Sequence, residues 1–210
     1  MKKLVMIFLI ALFSISGIAQ SKFGIRGGLN MANVDISASG VTIAPEARTT
    51  FFAGINFDIQ INEKLSFSPG IQYTGRGYKL SSNGATSEAK LDYIDVPLLL
   101  NLRLPLSETT SILLSGGGMP GFLLAATGES SYNGRSESQD IKDGVETFHF
   151  GLTFGGGIEI TSKNLIIVPQ IYYTIGLTNM DKNNPSSSSN SSSEPEITAS
   201  DLSFGLGIRF

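Results

Sequence analysis

The chain has 210 residues, 41% hydrophobic and only 16% charged, with 24 glycines and no cysteine. That is enough for one domain with a core, and it excludes disulfides and thiolate metal sites. A net charge of −3 gives no basic surface of the kind nucleic acid requires.

The first nineteen residues read as a signal peptide. Lys2 and Lys3 precede the apolar stretch Leu4 to Ile15, and Gly17-Ile18-Ala19 puts small residues at a cleavage site. Cleavage after Ala19 leaves residues 20–210 as the mature domain. The stretch falls short of the roughly 20 residues a spanning helix needs, which disfavours an uncleaved anchor. Losing Lys2 and Lys3 leaves 13 basic against 18 acidic residues, a net charge of −5. No later apolar run can cross a bilayer as a helix. Charges are also too sparse for an ordinary soluble surface. A membrane protein with this profile crosses with strands closed into a barrel.

Eight segments alternate apolar with polar or small residues, the mark of strands with one apolar face. They fall at about 22–34, 50–61, 65–78, 90–104, 111–125, 148–160, 165–177 and 201–210. In the second, Phe51, Ala53, Ile55, Phe57, Ile59 and Ile61 oppose Gly54, Asn56, Asp58 and Gln60. In the last, Leu202, Phe204, Leu206, Ile208 and Phe210 oppose Asp201, Ser203, Gly205, Gly207 and Arg209. Tight turns are expected at 62–64, 105–110 and 161–164. Loops are expected at 35–49, 81–89, 127–146 and 178–198, the last containing a serine run at 186–193. Long and short links therefore alternate, with both termini on the short-turn side. That predicts an all-β, eight-stranded antiparallel transmembrane β-barrel with short periplasmic turns and long extracellular loops.

Alternation alone does not say which face is outside, since a soluble eight-stranded barrel shows the same period. Here the non-apolar face carries Gly, Ser, Thr, Asn and Gln, with lysine only at strand ends (Lys22, Lys79, Lys90). The apolar face is therefore expected to meet lipid. Arg26, Asp58, Arg76, Asp95, Arg103, Glu159 and Arg209 are expected to pair inside as a polar plug. Tyr73, Tyr93, Phe148, Tyr173 and Phe210 are expected in interfacial aromatic girdles. Pro69, Pro97, Pro120 and Pro169 fall within strands, where each removes a ladder donor, so bulges or shifts of register are expected there.

Several segments resemble the PorT-like small outer-membrane barrels, the outer membrane protein beta-barrel domain. They are Phe23-Gly-Ile-Arg-Gly-Gly-Leu-Asn30, Tyr93-Ile-Asp-Val-Pro-Leu-Leu-Leu100, Gly116-Gly-Gly-Met-Pro-Gly-Phe-Leu123, Phe150-Gly-Leu-Thr-Phe-Gly-Gly-Gly-Ile-Glu159 and Gly205-Leu-Gly-Ile-Arg-Phe210. The second is the most specific. The resemblance implies an integral outer-membrane location and assembly by the barrel-insertion machinery, for which the terminal Phe210 resembles the usual signal. The best-known members serve type IX secretion.

No residue pattern signals catalysis, a cofactor or a metal. Gly116-x-Gly118-x-x-Gly121 matches a dinucleotide fingerprint in letters, but no helical pattern follows and Pro120 interrupts it. His149 is the only histidine, and Asp140, Asp143 and Glu146 are the nearest approach to a rim protease cluster. The acidic loop 127–146 does not have EF-hand spacing. The expected function is non-enzymatic: a structural or interaction barrel working through its loops or turns, with lipid and an envelope or secretion protein as partners. A porin-like conduit for small solutes is the alternative, opposed by the crowding of arginines inside so narrow a barrel.

Overall fold

The computed structural model describes residues 21–38, 41–43, 45–82, 84–132, 135–180, 182 and 196–210. The expected signal segment 1–19 and the serine run lie outside the described residues. The strands are β1 (Ser21–Ala38), β2 (Val41–Ile43), β3 (Glu46–Gln60), β4 (Leu65–Ser82), β5 (Ala85–Asp95), β6 (Leu98–Pro105), β7 (Thr110–Tyr132), β8 (Arg135–Asp140), β9 (Phe148–Ser162), β10 (Leu165–Gly176) and β11 (Glu196–Arg209). A 3-10 turn, Lys142–Gly144, follows β8.

All pairings are antiparallel, and β11 closes on β1 from Gly24↔Arg209 to Ser37↔Glu196. β5 and β6 act as one strand, because both lie between β4 and β7. Counted this way the ring has eight strands, and closure removes the free edge that an aromatic-ended last strand would otherwise present.

The break between β5 and β6 falls at Val96-Pro97. Pro97 has no N–H to give, but its carbonyl accepts from Gly70 N at 3.0 Å and Val96 N donates to the Pro120 carbonyl at 2.7 Å. Pairing of β9 with β10 is likewise interrupted at Val168 and Pro169. Pairing of β3 with β4 is interrupted in the same way opposite Ser68 and Pro69, although Pro69 keeps its place opposite Leu98; Pro120 stays paired with Phe150. The two register shifts, at Ala47/Phe52 and Asp92/Tyr93, lie where no proline marks them.

The alternation resolves as an inside-out protein. Phe23, Ile25 and Leu29 of β1, Phe51, Ile55 and Phe57 of β3, and Phe154 and Ile158 of β9 are all exposed on the outer face. Asn30, Asn56, Asp58, Thr74, Arg76 and Asp95 are buried in the lumen. Leu29 at 58% exposure against Arg76 at 0% settles the direction of the apolar face.

Two expected loops are instead sheet. β4 runs to Ser82 and β5 starts at Ala85, so the stretch 81–89 is a hairpin. β7 runs to Tyr132 and folds back as β8, so most of 127–146 is hairpin and 3-10 turn. β2 and the start of β3 likewise fall within the stretch expected as loop, 35–49. The two hairpin extensions escape periodicity because their residues are mostly polar on both faces, and a strand wet on both sides has no apolar period of two; β2, Val41-Thr42-Ile43, is too short for a period to register. A crossing needs about 9–11 residues per strand, whereas β7 has 23. The excess stands as a sheet beyond the barrel, at the end away from the short turns.

Gly77 sits at the root of that extension with φ at 131°, and a Cβ there would lie 1.8 Å from the Ala89 carbonyl oxygen. Gly77→Ala is expected to destabilise the barrel by about 1–3 kcal/mol. Urea unfolding of the protein in lipid vesicles, followed by tyrosine fluorescence, measures it.

Candidate functional site

The lumen is filled in layers. Nearest the short turns, Arg103 of β6 and Arg209 of β11 meet Asp58 of β3 and Glu159 of β9. Arg103 Nη2 donates to Asp58 Oδ2 at 3.1 Å and Arg209 Nη1 to the same oxygen at 3.2 Å. Both guanidiniums also bond the Glu159 carboxylate, and Ser68 Oγ donates to Asp58 Oδ1 at 2.8 Å. Two cations and two anions thus neutralise one another.

In the middle layer Arg26 Nη2 donates to Gln72 Oε1 at 2.5 Å. Asn101 Nδ2 donates to Ser68 Oγ at 2.6 Å, and Ser115 Oγ donates to Asn101 Oδ1 at 2.7 Å. The spaces left beside Arg26 are two cavities of about 20 Å³ each. Each is large enough for a single water and far too small for a solute.

Further from the short turns, Arg76 makes a fork onto Asp95, with Nη1 to Oδ1 at 3.1 Å and Nη2 to Oδ2 at 3.0 Å. Its Nε donates to Asp201 Oδ2 at 2.6 Å. Asn30 Nδ2 donates to the Gly75 carbonyl at 2.9 Å and lies 3.4 Å from Asp201 Oδ1. Tyr93 lays its ring 5.1 Å from the Arg76 guanidinium carbon, and the His149 ring centroid lies 5.8 Å from that of Tyr93. Beyond these the lumen turns apolar, with Val34, Leu91, Leu123, Ala126, Met180 and Ala199 packed together.

Six of the seven charged residues expected in the plug are ion-paired in the lumen; the seventh, Arg26, bonds an amide instead. Asp201 completes the plug and was not anticipated in it, although its place on the polar face of the last strand was legible. Tyr93 corrects the girdle assignment, being fully buried inside the barrel. Residues two apart in a strand share a face, so Asp95 already signalled that Tyr93 points inward. Phe148, Tyr173 and Phe210 are exposed outside, and Tyr73 donates its hydroxyl to Asp92 Oδ1 at 2.6 Å.

His149 is buried in the lumen, its Nδ1 lying 3.3 Å from Thr178 Oγ1. Asp140 and Asp143 are exposed beyond the mouth, with Asp140 Oδ1 accepting from Lys142 N at 2.8 Å. The structure does not bring these three together. Among the described residues no group of three His, Cys, Asp or Glu is placed to hold a metal. The Gly116–Gly121 segment lies wholly within β7. There a Cβ on Gly121 would sit 2.2 Å from Asp95 Oδ1, so this glycine makes room for the carboxylate that Arg76 binds.

Residues 18–182 match the family model described as outer membrane protein beta-barrel domain. No curated protein matches the chain in sequence. Among solved structures, the chain is similar to Ail, the attachment invasion locus protein of Yersinia pestis, at 18% identity, covering 91% of this chain and 99% of that one with a TM-score of 0.44. Neisserial surface protein A shows 13% identity, 91% and 99% coverage and a TM-score of 0.47. The outer membrane protease OmpT from Escherichia coli shows 10% identity, 92% and 97% coverage and a TM-score of 0.52. At such identities the likeness is one of fold.

Arg76→Met keeps the bulk of the side chain but leaves Asp95 and Asp201 buried without a cation. A loss of about 3–5 kcal/mol is expected, and adding Asp95→Asn with Asp201→Asn is expected to recover a large part of it. Vesicle-based urea unfolding of the single and triple variants reads both numbers.

Proposed function

This chain belongs to the outer membrane protein beta-barrel domain family, integral to the bacterial outer membrane, and from that premise we propose that it is a sealed barrel displaying an upright polar sheet for recognition outside the cell. The observation that carries the reading is the filled lumen. Four arginines and four carboxylates occupy it, and the cavities left at mid-depth hold about 20 Å³ each. A conduit for small solutes has no path there.

The outward sheet supports the display role. β4, β5, β7 and β8 continue together past the barrel, braced by ion pairs between Arg48 and Glu88 at 2.7 Å and between Lys90 and Glu129 at 2.6 Å. Every residue of β8 is exposed. A strand so placed offers backbone groups and alternating side chains to an extended partner segment. A protein of the envelope or of secretion is the partner class proposed. Hydrolysis is no part of this reading: His149 Nδ1 lies beside Thr178 Oγ1, and Asp140 bonds the backbone of its own turn.

The finer kinship to PorT-like barrels rests on Tyr93 to Leu100, whose residues have identifiable work. Tyr93 and Asp95 face Arg76, and Pro97 ends β5. Insertion by the barrel-assembly machinery is proposed through Phe210, which is exposed and ties its N–H to the Phe23 carbonyl at 2.8 Å.

In a planar bilayer the purified protein is expected to give no steady unit conductance, whereas Arg103→Ala combined with Arg209→Ala is expected to give flickering openings. Steady openings of the unaltered protein would defeat the sealed reading. In cells, photo-cross-linking from Ser138 in β8 is expected to trap a discrete partner, and from Asn164 in the short turn to trap none. The reverse pattern would move the interaction to the periplasm.

A further inference from the structure

Small outer-membrane barrels have polar interiors; this one carries a small buried apolar patch of Leu113, Ile166 and Val168 and a larger apolar region toward its outward mouth. There a cavity of about 270 Å³ is lined by Val34, Tyr78, Leu91, Ile141, Val145 and Met180, with Ala89 and Gly144 completing the wall. The packed cluster of Leu91, Leu123, Ala126 and Ala199 lies beside it. The turn carrying Ile141 and Val145 is held by defined bonds. Ile141 N donates to the Ala126 carbonyl at 3.0 Å, Glu146 N to the Met180 carbonyl at 2.8 Å, and Lys182 N to the Gly144 carbonyl at 3.3 Å. The cavity is therefore built by the fold.

A second cavity of about 500 Å³ adjoins it, sharing the wall residues Tyr78, Ala89 and Ile141. The second wall is polar, carrying Ser87, Ser130, Ser138 and Gln139 together with Glu88 and Glu137. Arg48 neutralises Glu88 at 2.7 Å. An apolar chamber adjoining a hydroxyl- and carboxylate-lined one matches a molecule with the same two halves. We infer that the outward mouth binds a single-chain amphiphile with a short alkyl tail and an uncharged, hydroxyl-bearing head.

The tail chamber lies below the usual range for drug-sized ligands, about 300–1,000 Å³, which favours one short chain over a two-chained lipid. Carboxylates in the head chamber act against an anionic head, and hydroxyl and amide groups bond a sugar-like one. The site goes beyond the display role and does not depend on it, because a sealed lumen stands whether or not the mouth is occupied.

The test uses the full mature protein in lipid nanodiscs with an octyl glucoside analogue bearing a diazirine on its alkyl chain. Saturable labelling of peptides containing Leu91 and Ile141 to Val145 is expected. Unlabelled octyl glucoside should displace the probe, and each methylene removed from the competitor should weaken it about fourfold. Octyl sulfate should compete at least tenfold less well. Ala89→Trp, which fills the chamber, should lower labelling at least tenfold while the barrel keeps its heat-modifiable gel mobility. If that variant does not fold, Ile141→Asp, on the turn outside the barrel strands, must show the same loss. Labelling confined to lipid-facing residues such as Phe122 and Ile171, or mouth labelling unchanged in the filling variant, would overturn the site. Equal competition by octyl sulfate would overturn the head assignment.

Discussion

Charge neutralised inside a closed ring is the constraint on which the rest of this structure depends. Removing a guanidinium or a carboxylate from water costs several kcal/mol per ion unless a partner and further hydrogen bonds are in place. Here the partners come from different strands. Asp58 and Glu159 each bond both Arg103 and Arg209, and Arg76 joins Asp95 on the neighbouring strand to Asp201 across the lumen. The ring must close in one register for these charges to meet. A slip of one residue in any strand would send its lumen charges into lipid and its aliphatic side chains into the plug.

The same constraint explains which residues are small. A narrow ring holding four arginines has little room for other side chains. Gly121 leaves space for the Asp95 carboxylate; Gly117 is small for a different reason, the close approach of the neighbouring strand, where a Cβ would meet the Leu98 carbonyl oxygen at 2.0 Å. Lipid supplies no hydrophobic drive for the outer face to collapse. The backbone ladder, closed round the ring because hydrocarbon offers no alternative partner, and the luminal ion pairs therefore carry the specificity of the fold.

Polarity changes along the barrel axis as well as across its wall. Ion pairs toward the short turns sit beside an apolar patch of Leu113, Ile166 and Val168, amide and hydroxyl groups bond one another in the centre, and a second ionic layer gives way to the apolar cluster of the mouth. The apolar end is closed partly by the turn between Ile141 and Val145 rather than by strands alone. Strands that cross the membrane with one apolar face continue beyond it with two polar faces. A single covalent strand such as β7 thus forms both the barrel wall and part of the sheet beyond it.

Much of this was legible in the residues themselves. Period-two alternation marked the eight ring strands, the polar composition of the second face put it inside, and the charged residues on that face named most of the plug. These are local properties, since side-chain direction in a strand follows from its backbone alone. Local reading failed where both faces of a strand are wet, at Thr86 to Glu88, Ser130 to Tyr132 and Arg135 to Gln139, because no solvent contrast writes a period there. It also failed for Tyr93, whose hydrophobicity suggested the membrane surface while its position beside Asp95 placed it in the lumen. The pairing of Arg76 with Asp201 spans 125 residues, and the two chambers of the mouth bring β1, β4, β5, β7 and the following turn together. Composition and periodicity determined that the chain forms a barrel and which side meets lipid. Only closure of the ring decided which charges neutralise each other and what the mouth encloses, because those contacts depend on register across strands distant in sequence.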